Sequence, residues 1–301
     1  TRTISVAPDT RQGITGSREE SAARPAVRPW LERWVVPVTL FVLAFLPRAL
    51  YPVSRAWLWY LRSVRFWDAL LAGDWAQTYE QYHPGVTTMW LSGLALKLFA
   101  WCKGLTSAQL LRVAPAKPGT FDAAATAGVL PLAFVVALCI AGAYRLLERL
   151  TDRRTAFAGG FLLALDPFLI AYSKQIHLNA LLAAFMLMSV LLLFDHVLNG
   201  KWASLICSGA FAGLSLLTKS PALFLLPYTV LTLGAHRLGR FLDAARTARS
   251  KREDSTEHPP LRSLIVGLRA DLVRLLVWVG VAAAVVVLLW PAMWIAPFRS
   301  T

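Results

Sequence analysis

The chain reads as an all-α polytopic membrane protein, and three observations carry that reading. Apolar residues make up 56% of its 301 positions, against 16% charged. Two uncharged runs, Ala123–Tyr144 and Leu275–Phe298, exceed the roughly 20 residues that cross a ~30 Å hydrocarbon core. Lys and Arg gather in the N-terminal tail and a few short segments, the pattern of loops kept on the cytoplasmic side. The formal net charge of +14 is therefore read as topology and attraction to anionic lipid, not as nucleic-acid binding.

In chain order, residues 1–33 form a polar tail rich in Pro, Gly, Ser, Arg and Glu, expected to be disordered and cytoplasmic. Residues 34–301 form one transmembrane module. Apolar segments at about 34–51, 122–145, 155–172, 178–197, 203–218, 221–236 and 273–296 give seven expected spans. Pro167, Pro221, Pro227 and Pro291 begin or interrupt helices, which packed membrane helices tolerate. Cys102, Cys139 and Cys207 have no metal-ligand spacing and imply no disulfide framework. The chain starts on Thr1 and stops just after an apolar run, so a C-terminally incomplete protein is expected.

Val86–Cys102 decides the topology. Only about ten apolar residues precede its Lys97, which is short for a span and suits a helix lying in the interface. A surface position puts 1–33, 145–154, 198–202 and 237–271 on one side. Those segments hold Arg145, Arg149, Arg153, Arg154, Arg246, Arg249, Lys251 and Arg252. A crossing would separate the basic tail from the basic 237–271 loop. The positive-inside rule selects the first arrangement. The N-terminus is then cytoplasmic, and residues 52–121 form a large first external loop containing surface helices. In it Leu58–Ala72 reads as a helix ended by Gly73, with Arg65 and Asp68 on one face as a candidate ion pair. Trp75, Tyr79, Tyr82 and Trp90 suit an interfacial layer.

That loop and its neighbouring turns hold the residues able to do chemistry. Asp68, Glu80 and Asp74 are its acids, and each also has an ordinary role: an ion pair, a solvated loop position and a turn cap respectively. Arg62 and Arg65 can grip a phosphate bidentately, and His83 stands before Pro84 beside the expected membrane surface. Lys219 precedes Pro221 at an external helix end, where snorkelling explains it equally well. Lys174 and His177 would serve as interfacial anchors.

Four patches carry a resemblance: Tyr82-His83-Pro84-Gly85-Val86-Thr87-Thr88-Met89-Trp90, Leu165–Ser173, Ile176–Leu182 and Gly213–Pro221. In this order they resemble the phospholipid-carrier-dependent glycosyltransferases, relatives of protein O-mannosyltransferases and the lipid A aminoarabinose transferase, over residues 34–296. The resemblance implies a GT-C-like transmembrane module in the cell membrane. It implies transfer of a sugar from a polyprenyl phosphate to a lipid, glycan or protein acceptor on the external face, with inversion at the anomeric carbon. It also implies an external-loop acid that activates the acceptor or positions a metal, so a divalent metal stays open as a cofactor. The family's Gly-Asp-Trp element matches Gly73-Asp74-Trp75, and its basic residue before Pro, which faces the carrier phosphate, matches His83.

Two departures stand out. Tyr51–Trp57 holds no acid where many relatives carry Asp-Glu, and Asn179 stands where they often have Asp. The acid has then moved, with Asp68 first, Glu80 second and Asp74 third, or the copy is impaired. The expected donor contacts are His83, Arg62, Arg65, Lys219, His177 and Asn179. A transporter or flippase with helices broken at Pro167 and Pro221 is the alternative from another class, though no internal repeat is found. A non-catalytic relative of the enzyme is the third reading.

Overall fold

The computed structural model describes residues 29–50, 57–80, 84–112, 123–250 and 261–295. Among the described residues there are only helices and turns. The chain is an all-α polytopic membrane protein. Helix α1 (Pro29–Ala49) is followed by α2 (Trp57–Ala72), a 3-10 turn at Trp75–Thr78, α3 (Val86–Lys103) and the short α4 (Ser107–Arg112). Then come α5 (Ala123–Leu150), α6 (Arg153–Leu165), α7 (Pro167–Ser173), α8 (Leu178–Asn199) and α9 (Trp202–Thr218). A 3-10 turn at Ser220–Phe224 leads into α10 (Leu225–Ser250), α11 (Leu261–Leu289) and α12 (Ala292–Ile295).

Helix α1 begins at Pro29, whose ring fixes φ for a first helical residue that has no use for an N–H. Helices α5 and α8, and α11 over Gly267–Leu289, are each long and apolar enough to cross a membrane. The segment expected as a span at 155–172 is built of two helices, α6 and α7, bent by 49° at the break and together apolar enough to cross as one broken span. Pro167 has no N–H for the Leu163 carbonyl, and the Asp166 carboxylate caps the new helix by accepting from Leu169 N–H at 2.6 Å. Buried Arg48 of α1 repairs the break. Its guanidinium donates to Ala164 O at 2.7 Å and Leu163 O at 3.2 Å.

Successive long helices alternate in direction, so the bundle has two ends. One end collects the last turn of α1, the first turns of α5, α8 and α10, and the ends of α7, α9 and α11. Helices α2 to α4 pack on it. The core cluster gathers Val136, Ala137 and Ile140 of α5 with Leu181, Ala184 and Phe185 of α8 and Leu96 of α3. Helices α9 and α11 approach backbone to backbone. A Cβ on Gly209 would lie 2.7 Å from Trp278 O, and one on Gly213 would lie 2.6 Å from Ala282 O. Small residues at this spacing allow close membrane-helix contacts.

Helix α3 is not among the helices that satisfy the spanning criteria. It lies across the first turns of α5, where Ser92 Oγ donates to Gly128 O at 2.9 Å. Single cysteines at Gln77 and Thr106 are expected to be labelled by an impermeant maleimide from the same external side. Labelling of position 106 only from the cytoplasm would make α3 a span.

Candidate functional site

The helix ends bring three of the expected donor contacts together. His177 caps α8, with its Nδ1 accepting from Asn179 N–H at 3.2 Å. Accepting there leaves the ring proton on Nε2 when the imidazole is neutral. Burial, and then the Lys219 ammonium, hold His177 below the usual imidazole range, so it is neutral at pH 7. Lys219, just past the end of α9, donates its Nζ to Asn179 Oδ1 at 3.1 Å. A cation, an amide and a neutral imidazole thus converge from two helix ends.

The turn that opens α3 docks against the same end of α9. Gly85 N–H donates to Thr218 O at 3.2 Å. The Thr87 and Thr218 hydroxyls are 2.6 Å apart and buried. Thr218 already donates to Leu214 O, so Thr87 is the donor between them. Gly85 has φ +60, and a Cβ there would fall 2.1 Å from the Trp59 ring; no other residue fits. His83 itself lies outside the described residues, as does Tyr82. Arg62 lies over the Trp59 ring at 4.6 Å, which links α2 to this turn.

The acids separate. Asp68 does not pair with Arg65. It is held by Lys97 of α3 at 2.5 Å and by Ser107 Oγ at 2.8 Å, and Lys97 also donates to Ser107. Sharing a helix face made the Arg65 pair possible, but Lys97 is only 15% exposed and Asp68 is the carboxylate it meets. Lys97, read from the sequence as a surface marker, ties α2, α3 and the start of α4 together. Ten residues of α3 separate Thr87 from Lys97, about 15 Å of helix. Asp74 is exposed and caps the 3-10 turn, accepting from Gln77 N–H at 3.4 Å. Glu80 is half-buried, and burial raises its carboxyl above the ordinary value, while Arg65 and then Arg62 pull it back. Both arginines expected to grip phosphate are therefore within electrostatic reach of Glu80.

The aromatic layer is packed rather than spread over a surface. Tyr79 stacks on Trp290 with ring centroids 5.8 Å apart, Trp75 meets Trp294, and Trp90 Nε1 donates to Leu289 O at 2.8 Å. Among the described residues no three His, Cys, Asp or Glu side chains come together. The charged groups that act on Glu80 among the described residues are the arginines Arg65 and Arg62.

An apolar cavity of about 680 Å³ opens beside the polar cluster. Thr87 links the two, since it lines the cavity and bonds Thr218, the residue before Lys219. The cavity runs past Trp90, Phe211 and Met188 to Arg145 and Trp34 near the opposite end. It follows α5 from Val135 to Arg145, ten residues or about 15 Å. Sequence reading missed it because its walls come from six helices. It missed Thr87 as a partner of Thr218, although a Thr pair opening an apolar helix was a visible signal.

A family model described as dolichyl-phosphate-mannose-protein mannosyltransferase matches residues 120–244. That segment runs from α5 into α10 and holds His177, Asn179 and Lys219, while the acids of the first loop lie outside it. No curated protein matches the chain. Over those residues the chain is similar to a family of membrane glycosyltransferases.

Proposed function

We propose that the chain is a membrane glycosyltransferase that moves a sugar from a polyprenyl-phosphate carrier to a hydroxyl of a lipid, glycan or protein. One observation carries the proposal: Lys219, Asn179 and His177 converge where Gly85 docks on Thr218, and Thr87, bonded to that same Thr218, lines an apolar cavity. An anionic head with a hydrocarbon tail needs those two environments side by side. Lys219 and the His177 Nε2–H are the donors for the carrier phosphate, and the cavity takes part of the chain.

In the step itself, the acceptor oxygen attacks the anomeric carbon from the face opposite the phosphate. The bond from that carbon to the phosphate oxygen breaks, and its electron pair leaves with the phosphate. Glu80 takes the acceptor proton and later returns it to water. Charge grows on the phosphate as the bond breaks, so fixed donors aimed there lower the barrier. Glu80 is preferred to Asp68 because Asp68 is committed to Lys97 and Ser107. The carrier, the external side and the cell-envelope setting rest on family similarity and on charge distribution.

Lys219→Ala is expected to weaken binding of a short polyprenyl phosphate to the purified protein by tenfold or more, the scale of one lost charge-assisted hydrogen bond. Binding of the matching prenyl alcohol should not change. Equal affinity for the phosphate in variant and parent would overturn the assignment. The non-catalytic reading has an observation in its favour, the capture of Asp68 by Lys97. Carrier binding without turnover in the unaltered protein would establish it.

A further inference from the structure

At the opposite end of the bundle, one α8 length away or roughly 33 Å, lies a second cavity of about 350 Å³. The C-terminal turn of α8 and its cap Gly200 form one wall. Leu233, His236 and Arg240 of α10 and Arg274 of α11 form the others. We propose that this pocket binds the phosphate of an anionic phospholipid from the leaflet facing that end.

The charges around it do not cancel. Asp271 has both oxygens taken, Oδ2 by Arg237 Nε at 2.7 Å and Oδ1 by Arg274 Nη1 at 2.6 Å. Asp195 is likewise committed. Asn199 donates to it at 2.8 Å, Ser204 donates to it, and Lys201 lies 3.5 Å away. Against these two acids stand Lys201, Arg237, Arg240 and Arg274, a surplus of two positive charges. Arg240 makes no ion pair within 4 Å among the described residues. Arg274 keeps a buried Nε without a hydrogen-bond partner among them. A buried donor without a partner is destabilising, and an anion at this position would satisfy it.

The ligand chemistry follows. Guanidinium groups from two helices suit a phosphate, which accepts several N–H donors at once. His196 donates its Nδ1–H to Lys201 O when neutral, so it acts as a wall rather than a ligand. The cavity is large enough for a headgroup but not for acyl chains as well. Exposed Leu231 of α10 and Leu276 of α11 offer apolar flanks along which chains can lie. Charge attraction with apolar flanking is how basic pockets between membrane helices hold anionic lipids.

The test is native mass spectrometry of the full chain released from nanodiscs of mixed phosphatidylglycerol and phosphatidylcholine. The unaltered protein should retain one phosphatidylglycerol selectively. Arg240→Gln should weaken that retention about tenfold, with unchanged thermal unfolding. Arg246→Gln, on the exposed face of the same helix, should leave it as it is. Equal retention of the two lipids, or an Arg240→Gln protein that behaves like the parent, would overturn the proposal. So would displacement of the lipid by millimolar inorganic phosphate, which would assign the pocket to a soluble anion.

Discussion

Glu80→Gln is expected to lower transfer by a hundredfold or more while leaving carrier binding intact. A positioned general base contributes roughly 10²–10⁴-fold, and the amide keeps the shape but cannot take the acceptor proton. The same substitution carries a stability signature. The folded-state carboxyl is raised by burial, so its contribution is fully present below the ordinary carboxylate value. That contribution is lost as pH rises through the raised one. Glu80→Gln should therefore unfold at a temperature equal to or above the parent at pH 7, and the difference should shrink toward pH 4. In the parent, activity should rise with pH through the same raised value. A pH-independent unfolding difference would mean Glu80 is solvated. Full activity in the Gln variant, with Asp68→Asn inactive, would return the base to Asp68.

Gly213→Ala is expected to destabilise the protein by forcing α9 and α11 apart. The added Cβ would meet Ala282 O at 2.6 Å and Val285 Cβ at 2.8 Å. Neither atom can move aside by a rotamer change, because one is backbone and the other is the branch point of its side chain. Overpacking of this kind costs about 1–3 kcal/mol, and the α9–α11 seam must open to relieve it. Gly280→Ala is the control. A Cβ there has nothing within 4 Å, and Ala is the better helix former by about 0.8–1 kcal/mol. Thermal unfolding in detergent should show Gly213→Ala lowered and Gly280→Ala unchanged or raised. Matching values for the two would mean α9 and α11 do not touch as described.

The helices were readable in the sequence because an uncharged run of membrane length leaves the backbone no other way to satisfy its N–H and C=O groups. The helix ends near Lys219, His177 and Asn179 were readable for the same reason, since polar residues mark where such runs stop. Long-range partners were not. Nothing local distinguishes Arg65 from Lys97 as the mate of Asp68. Lys97 wins because α3 folds back beside α2, a fact of tertiary packing. Arg48 was missed similarly. Its role depends on carbonyls freed 115 residues later by Pro167, and only the bent pair of helices reveals the need. Glu80 looked like an ordinary loop acid until its burial and its arginine neighbours were in view.

The first loop is finished by the end of the chain. Trp90 donates to Leu289 O, 199 residues away, and Tyr79, next to Glu80, rests on Trp290. A ribosome adding 5–20 residues per second needs roughly 10–40 s to make that interval. Throughout that time the loop is already threaded while its closing surface does not yet exist. Tyr79, next to Glu80, gains its stacking partner only when α11 and the residue after it arrive. Helix α11 therefore acts as the closing piece of the first loop, and a ribosome stalled before residue 289 leaves that loop anchored but open.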